Sequence, residues 1–310
     1  MMGLRAPHNP NLYRLLLVAG VLALPAVLTY GLVTLHVGAS LSDYIPVTSD
    51  KIVYWSEIQS FKQVGFGAGY YTFDEDPARL TFIHFDAHGP VFPVLYGLLA
   101  RVFGWGLNTA PWFDLVLVTG ALGVFIAVVQ PDGKQLAATA VIIATCWPLL
   151  LYLPVTNQES LHHALAFILA ALFYRLIQRD GALHLSLKIL LFGCLLLATA
   201  LRYFWAPLFI PFLVLSVRQR EGRRLVFAVT LALVLMAGML VLQQAWTASY
   251  PYRLNPVLRT LRTSIPGSLR MFAELVIDNL EAFNNGYSFE IVQRYQILLA
   301  IFLGAAAGLI

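Results

Sequence analysis

Apolar runs, each about as long as a bilayer is thick, constrain this chain more than any other feature. They fall at 13–36, 90–105, 109–129, 135–154, 160–177, 185–201, 203–217, 225–247 and 291–310. A helix rises about 1.5 Å per residue, so roughly 20 apolar residues cross a hydrocarbon core of about 30 Å. Hydrophobic residues make up 59% of the chain and charged residues 12%, the latter about half the share of an ordinary soluble domain. The pattern predicts an all-α, polytopic transmembrane bundle in a single domain over 1–310. A net charge of +4 is modest and argues against a nucleic-acid partner. Cys146 and Cys194 lie inside apolar runs, without the spacing of a disulfide, metal or redox motif. The apolar stretch from Leu15 to about His36 follows Arg5 and Arg14 and is too long for a signal-peptide core, so it reads as the first spanning helix. The chain stops at Ile310 inside an apolar run, which suggests a piece truncated from something longer.

Run 90–105 is the exception among the nine. At about 16 residues it reaches only about 24 Å, and it carries Pro93 and Arg101 between Gly89 and Gly104-Trp105-Gly106. If it crossed, with the amino terminus in the cytoplasm, the cluster Arg218-Gln-Arg220-Glu-Gly-Arg223-Arg224 would lie outside. Short loops rich in Lys and Arg stay on the cytoplasmic side. The run is therefore expected to be an interfacial helix against the outer leaflet, leaving about eight spanning helices. That count puts 37–108, the Thr156–His163 turn, Arg202-Tyr203 and 248–290 together outside the cytoplasm.

Those outer segments hold the residues capable of chemistry. Asp50, Tyr54, Glu57 and Phe61 follow i, i+4, i+7, i+11 spacing and share a helix face. Asp50 is a candidate general base or metal ligand there, with Glu57 as the second carboxylate. The alternative is that Asp50, or Ser49 before it, caps the helix. Gly65-Phe-Gly-Ala-Gly69-Tyr70-Tyr71 lacks the Gly-Lys-Ser/Thr ending of a phosphate-binding loop; it either brings backbone close to a ligand, with the tyrosines as a sugar platform, or is a flexible turn between interfacial helices. Asp74-Glu75-Asp76 has the D-x-D form that holds a divalent cation, or it is a solvated turn. In His84-Phe-Asp86-Ala-His88 the polar side chains would fall on one side of an extended segment, where they bind a metal, place a proton donor or hold the loop by mutual hydrogen bonds.

Glu159 stands where the helix of 160–177 begins, a position that favours the helix dipole and also suits a site at a membrane mouth. His162 and His163 are adjacent, face different ways and make a poor chelating pair. Arg202 has no acidic neighbour in sequence and either snorkels or binds an anion. Arg253, Arg259, Arg262 and Arg270 keep the last outer loop basic. That loop turns amphipathic from about Pro266 to Phe283, where it contacts lipid headgroups or a lipid-linked phosphate.

A spanning helix, an outer loop opening on an acid before an aromatic helix, and then His88-Gly-Pro90-Val-Phe-Pro93-Val-Leu-Tyr-Gly resemble the GT-C membrane glycosyltransferases. Protein O-mannosyltransferases and aminoarabinose lipid A transferases share this plan. The resemblance implies inverting transfer of a sugar from a polyprenyl-phosphate donor to an acceptor hydroxyl on a glycan, lipid or protein. It also implies a multi-pass protein of a bacterial inner or plasma membrane, in contact with membrane lipids, with its active face outside the cytoplasm. By position, Asp50 would be the base with Glu159 in support, while Arg202 and the arginines of 253–262, Arg253 and Arg259 among them, would handle the phosphate. Tyr54, His84, His88 and Tyr203 would line the substrate. Relatives often carry a second acid after the first, where this chain has Lys51; Lys51 would then contact the phosphate, or activity is lost. A divalent cation is a candidate cofactor, through Asp74, Asp76 or Asp86. The competing readings are a transporter or flippase of a lipid-linked substrate, and a non-catalytic membrane subunit. Charge inside the runs is sparse and polar groups cluster at one mouth, which favours surface chemistry.

Overall fold

The computed structural model describes residues 10–47, 49–67, 85, 88–179, 183–216, 221–247, 257, 260–261, 263–282, 300–301 and 303–304. Every named element there is helical. The first four are α1 (Pro10–Gly31), α2 (Ser49–Val64), α3 (Val91–Phe103) and α4 (Thr109–Val129). Then come α5 (Gly133–Thr145), α6 (Trp147–Tyr152), α7 (Glu159–Gln178), α8 (Leu185–Leu201), α9 (Phe209–Ser216), α10 (Glu221–Trp246) and α11 (Ile265–Ala282). The one extended pairing among the described residues joins Phe85 to Thr247.

Local chemistry sets many of the ends. α1 runs on through a π-helical stretch, Leu32–Val37, and stops at Gly38 with φ 70°, a conformation that suits a residue without Cβ. Asp132 caps α5 reciprocally: Gln135 N donates to its Oδ1 at 2.8 Å and Asp132 N donates back to Gln135 Oε1 at 3.0 Å. Two expected helices are broken. Run 135–154 divides at Cys146 into α5 and α6, because Pro148 has no amide to continue the ladder and its ring crowds the preceding turn. Run 203–217 starts as a 3-10 turn, Tyr203–Leu208, around Pro207, so α9 begins only at Phe209.

Among the described residues, four helices are long and apolar enough to cross a membrane: Leu12–Leu35, Thr109–Val129, Glu159–Gln178 and Leu225–Leu242. Val91–Phe103, Leu185–Leu201 and Tyr203–Ser216 are shorter apolar helices. On α10, Leu225, Val226, Phe227, Leu233, Val234 and Val241 are exposed, and only 11% of the Leu225–Leu242 window is buried. A contiguous apolar surface of that kind belongs against lipid or another protein, not water.

α7 is the central helix. Its Leu165, Leu169, Leu172 and Leu176 enter a core with Tyr54, Ile58, Phe92, Tyr96, Leu195 and Phe209. Its Ala164 enters a second core with Val21, Leu122, Leu136, Ile143 and Leu149 from α1, α4, α5 and α6. α2 and α3 pack together as a pair. Gly97 allows this: a Cβ there would lie 2.5 Å from Phe61 Cδ1. Arg101 of α3 donates to the carbonyls of Phe61 and Lys62 at the end of α2, at 3.0 and 3.1 Å. Two indoles brace the same region, Trp55 donating to Gly106 O at 3.0 Å and Trp105 to Trp55 O at 3.3 Å. On α2, Ile58 is fully buried, whereas Ile52 is exposed.

Candidate functional site

The polar residues of α2, the Thr156–His163 segment and the turn after α8 meet at one end of the bundle. Arg202, where α8 gives way to the 3-10 turn, is the centre. Its Nη2 donates to Glu159 Oε1 at 3.0 Å, forming an ion pair with the first residue of α7. Gln158 is fully buried, and its donor neighbours require its amide oxygen to face them. So placed, the oxygen accepts from Arg202 Nη2 at 2.7 Å, from Arg202 Nε at 3.2 Å and from the Tyr54 hydroxyl at 3.1 Å. One neutral amide thus ties α2 to the cation. Trp205, three residues beyond Arg202, donates its indole N–H to His162 Nδ1 at 3.1 Å.

A second network lies beneath. The Tyr96 hydroxyl of α3 donates to Asp114 Oδ1 of α4, and both side chains are fully buried. Burial holds the Tyr96 hydroxyl well above its ordinary pKa, with the Asp114 charge adding to it, so it stays protonated as a donor. The Tyr44 hydroxyl accepts from Thr156 N at 2.8 Å and is raised as well, chiefly by burial. Asn108 Nδ2 donates to Ser42 O at 3.0 Å, which binds the start of the first long loop to the start of α4. Phe85 N donates to Trp246 O at 2.7 Å, fixing one point of that loop against the end of α10.

Among the expected site residues, Tyr54, Glu159 and Arg202 are joined in one hydrogen-bonded group. His88 is adjacent, its ring 5.5 Å from that of Tyr54. Tyr54, Glu57 and Phe61 are all buried on the shared face of α2, while Asp50, at its amino end, is exposed and Lys51 is half-buried. Tyr203 is half-buried, packed on Phe204 with ring centroids 4.4 Å apart. Asp74, Asp76, His84, Asp86, Arg253 and Arg259 lie outside the described residues. Among the described residues no group of three His, Cys, Asp or Glu side chains is placed to hold a metal ion.

Sequence reasoning passed over Gln158, the Tyr96–Asp114 pair and the Trp205–His162 bond. Asp114 offered a signal, as an acid inside an apolar run. Gln158 offered none, since a neutral amide in a turn is unremarkable until its neighbours are known. Several side-chain atoms at this end are buried without a partner among the described residues: Glu159 Oε2, His162 Nε2 and His163 Nδ1. Such atoms concentrate where a ligand completes the hydrogen bonding. The described residues form an all-helical protein with four helices long and apolar enough to span a membrane and a cationic, hydrogen-bonded cluster at one end of the bundle. No protein-family model, curated protein or solved structure matches the chain.

Proposed function

We propose that this protein is a membrane glycosyltransferase of GT-C plan. It moves a sugar from a polyprenyl-phosphate donor to an acceptor hydroxyl outside the cytoplasm, with inversion. The observation that carries the reading is the Arg202 guanidinium, held by Glu159 and Gln158 with 41% of its side chain still exposed. A guanidinium fixed on one side and open on the other suits a phosphate leaving group. The acceptor side is supplied by Asp50, one turn before Tyr54 on α2 and open to the surface.

In this reading the Asp50 carboxylate takes the acceptor hydroxyl proton as the acceptor oxygen attacks the anomeric carbon. The bond from that carbon to the phosphate oxygen breaks on the opposite face. Its electron pair leaves with the polyprenyl phosphate, whose charge Arg202 stabilises, aided by Lys51 and, from the last loop, Arg253 and Arg259. Glu159 holds Arg202 in place and is not itself the base. In this reading the four long helices cross the bilayer together with α5–α6, α8 and the Tyr203–Ser216 segment, while α2 and α3 lie on the outer surface. The run 291–310, counted as the eighth crossing, lies mostly outside the described residues. In the same reading 37–108 and 248–290 are outside the cytoplasm.

Two measurements test the proposal. Lipid extracted from the purified protein is expected to contain a polyprenyl phosphate by mass spectrometry. Asp50→Asn is expected to abolish transfer while the thermal unfolding midpoint stays at the wild-type value. Wild-type turnover in that variant would remove Asp50 as the base; absence of both carrier lipid and transfer would sink the glycosyltransferase reading itself.

A further inference from the structure

Two side-chain pairs join α7 to the turn after α8, and their registers match. Glu159 and His162 are three residues apart on α7, and Arg202 and Trp205 are three residues apart across the end of α8. Glu159 meets Arg202 at 3.0 Å and His162 meets Trp205 at 3.1 Å, each pair spanning 43 residues of chain. Glu159 and His162 share a face of α7, and Arg202, at the extended end of α8, and Trp205, in the 3-10 turn, meet them, so the two contacts are neighbouring rungs between the two segments.

The His162 rung settles the form of the imidazole. An indole N–H can only donate, so Nδ1 accepts and the ring proton sits on Nε2. The two rings lie 14° from parallel with centroids 6.0 Å apart, which with the short N···N distance is an edge-to-edge hydrogen bond and not a face-to-face stack. Nε2–H is then a donor with no acceptor among the described residues, and it is buried. A buried donor left unmet is costly, and native sites keep one where a ligand supplies the acceptor. The Arg202 rung leaves a matching group. Nε and Nη2 are taken by Gln158 and Glu159, so the Nη1 edge has no partner among the described residues.

We infer that His162 is a further ligand-binding residue of this site. Its Nε2–H and the Nη1 edge of Arg202 donate together to the non-bridging oxygens of a phosphate group, and Trp205 is the positioning residue that locks the imidazole in the donating tautomer. A guanidinium edge and a fixed neutral N–H on neighbouring contacts are donors suited to phosphate oxygens. That the phosphate belongs to a polyprenyl lipid rests on the function proposed above; the donor pair recognises the phosphate itself.

The full chain in lipid nanodiscs, titrated calorimetrically with farnesyl phosphate, farnesol and inorganic phosphate, tests this. Farnesyl phosphate is expected to bind and farnesol not. His162→Ala is expected to weaken farnesyl phosphate about 10- to 100-fold, the loss of one hydrogen bond to a charged group. His162→Gln, whose amide N–H can stand near the position of Nε2–H, is expected to recover to within about 3-fold of wild type, and Trp205→Phe to lose about 3- to 10-fold. Wild-type affinity in His162→Ala, or equal losses in the Ala and Gln variants, would overturn the inference. If inorganic phosphate binds and farnesyl phosphate does not, with the same response to His162, the inference stands and the lipid-carrier reading falls. No binding of either phosphate overturns both.

Discussion

The two ends of the helix bundle use their basic residues differently. Where α4, α7 and α9 finish, Arg175 Nε donates to Val128 O and Lys188 Nζ donates to Ser216 O at 3.4 Å. These cations sit on the carbonyl ends of helices, where the backbone dipole favours positive charge. At the opposite end the Arg202 side chain touches no backbone carbonyl among the described residues. It holds a carboxylate and an amide and leaves an edge over. Among the described residues, unpartnered buried atoms of Glu159, His162 and His163 lie at the Arg202 end, and that of Ser216 lies at the other. A cation committed to carbonyls serves the fold. One held by other side chains, among donors and acceptors still unmet, is available to a substrate.

The strongest way to break this contrast is to remove one cation from each end. Arg202→Ala is expected to lower sugar transfer by about 100- to 1,000-fold, as for loss of one preorganised charge-stabilising donor. Lys188→Ala is expected to leave turnover within about 2-fold and to cost at most about 1 kcal/mol of stability. Consumption of the lipid-linked sugar, measured side by side, decides; comparable losses in both variants would mean that the ends are not functionally distinct.

A smaller effect probes what carries α2 to the site. Gly97→Val puts a Cβ against Phe61 Cδ1 and is expected to cost about 1 to 3 kcal/mol through overpacking. Because α2 also presents Tyr54 to Gln158, turnover should fall together with the thermal midpoint. A lowered midpoint with full turnover would show that the α2–α3 contact does not position the site. The smallest effect is expected at the other end. Asp132→Ala removes a reciprocal cap and should cost about 1 kcal/mol, with turnover unchanged. Loss of activity there would blur the division between the ends.

Much of the helical layout was legible because apolar run length and helix length obey the same geometry: α1, α4, α7, α8 and α10 fall within or close to their predicted runs. The failures were at prolines. Pro148 and Pro207 interrupt stretches whose hydropathy is continuous, since hydropathy counts side-chain character and ignores the missing amide. The site was legible in part. Tyr54, Glu159 and Arg202 stood out as polar groups at the edges of apolar runs. Their partnership did not, because Glu159 and Arg202 are 43 residues apart and a charge in sequence carries no direction. Gln158, which joins Tyr54 to Arg202, and Trp205, which sets the tautomer of His162, carry no charge and gave no cue.

The sequence by itself determined the class of fold: long apolar runs with sparse charge satisfy their backbone as helices. Only the tertiary structure decided which polar group meets which. Packing α7 against both cores brings Glu159 and His162 opposite Arg202 and Trp205, and a hydrogen bond depends on distance and angle in space, which separation along the chain does not encode.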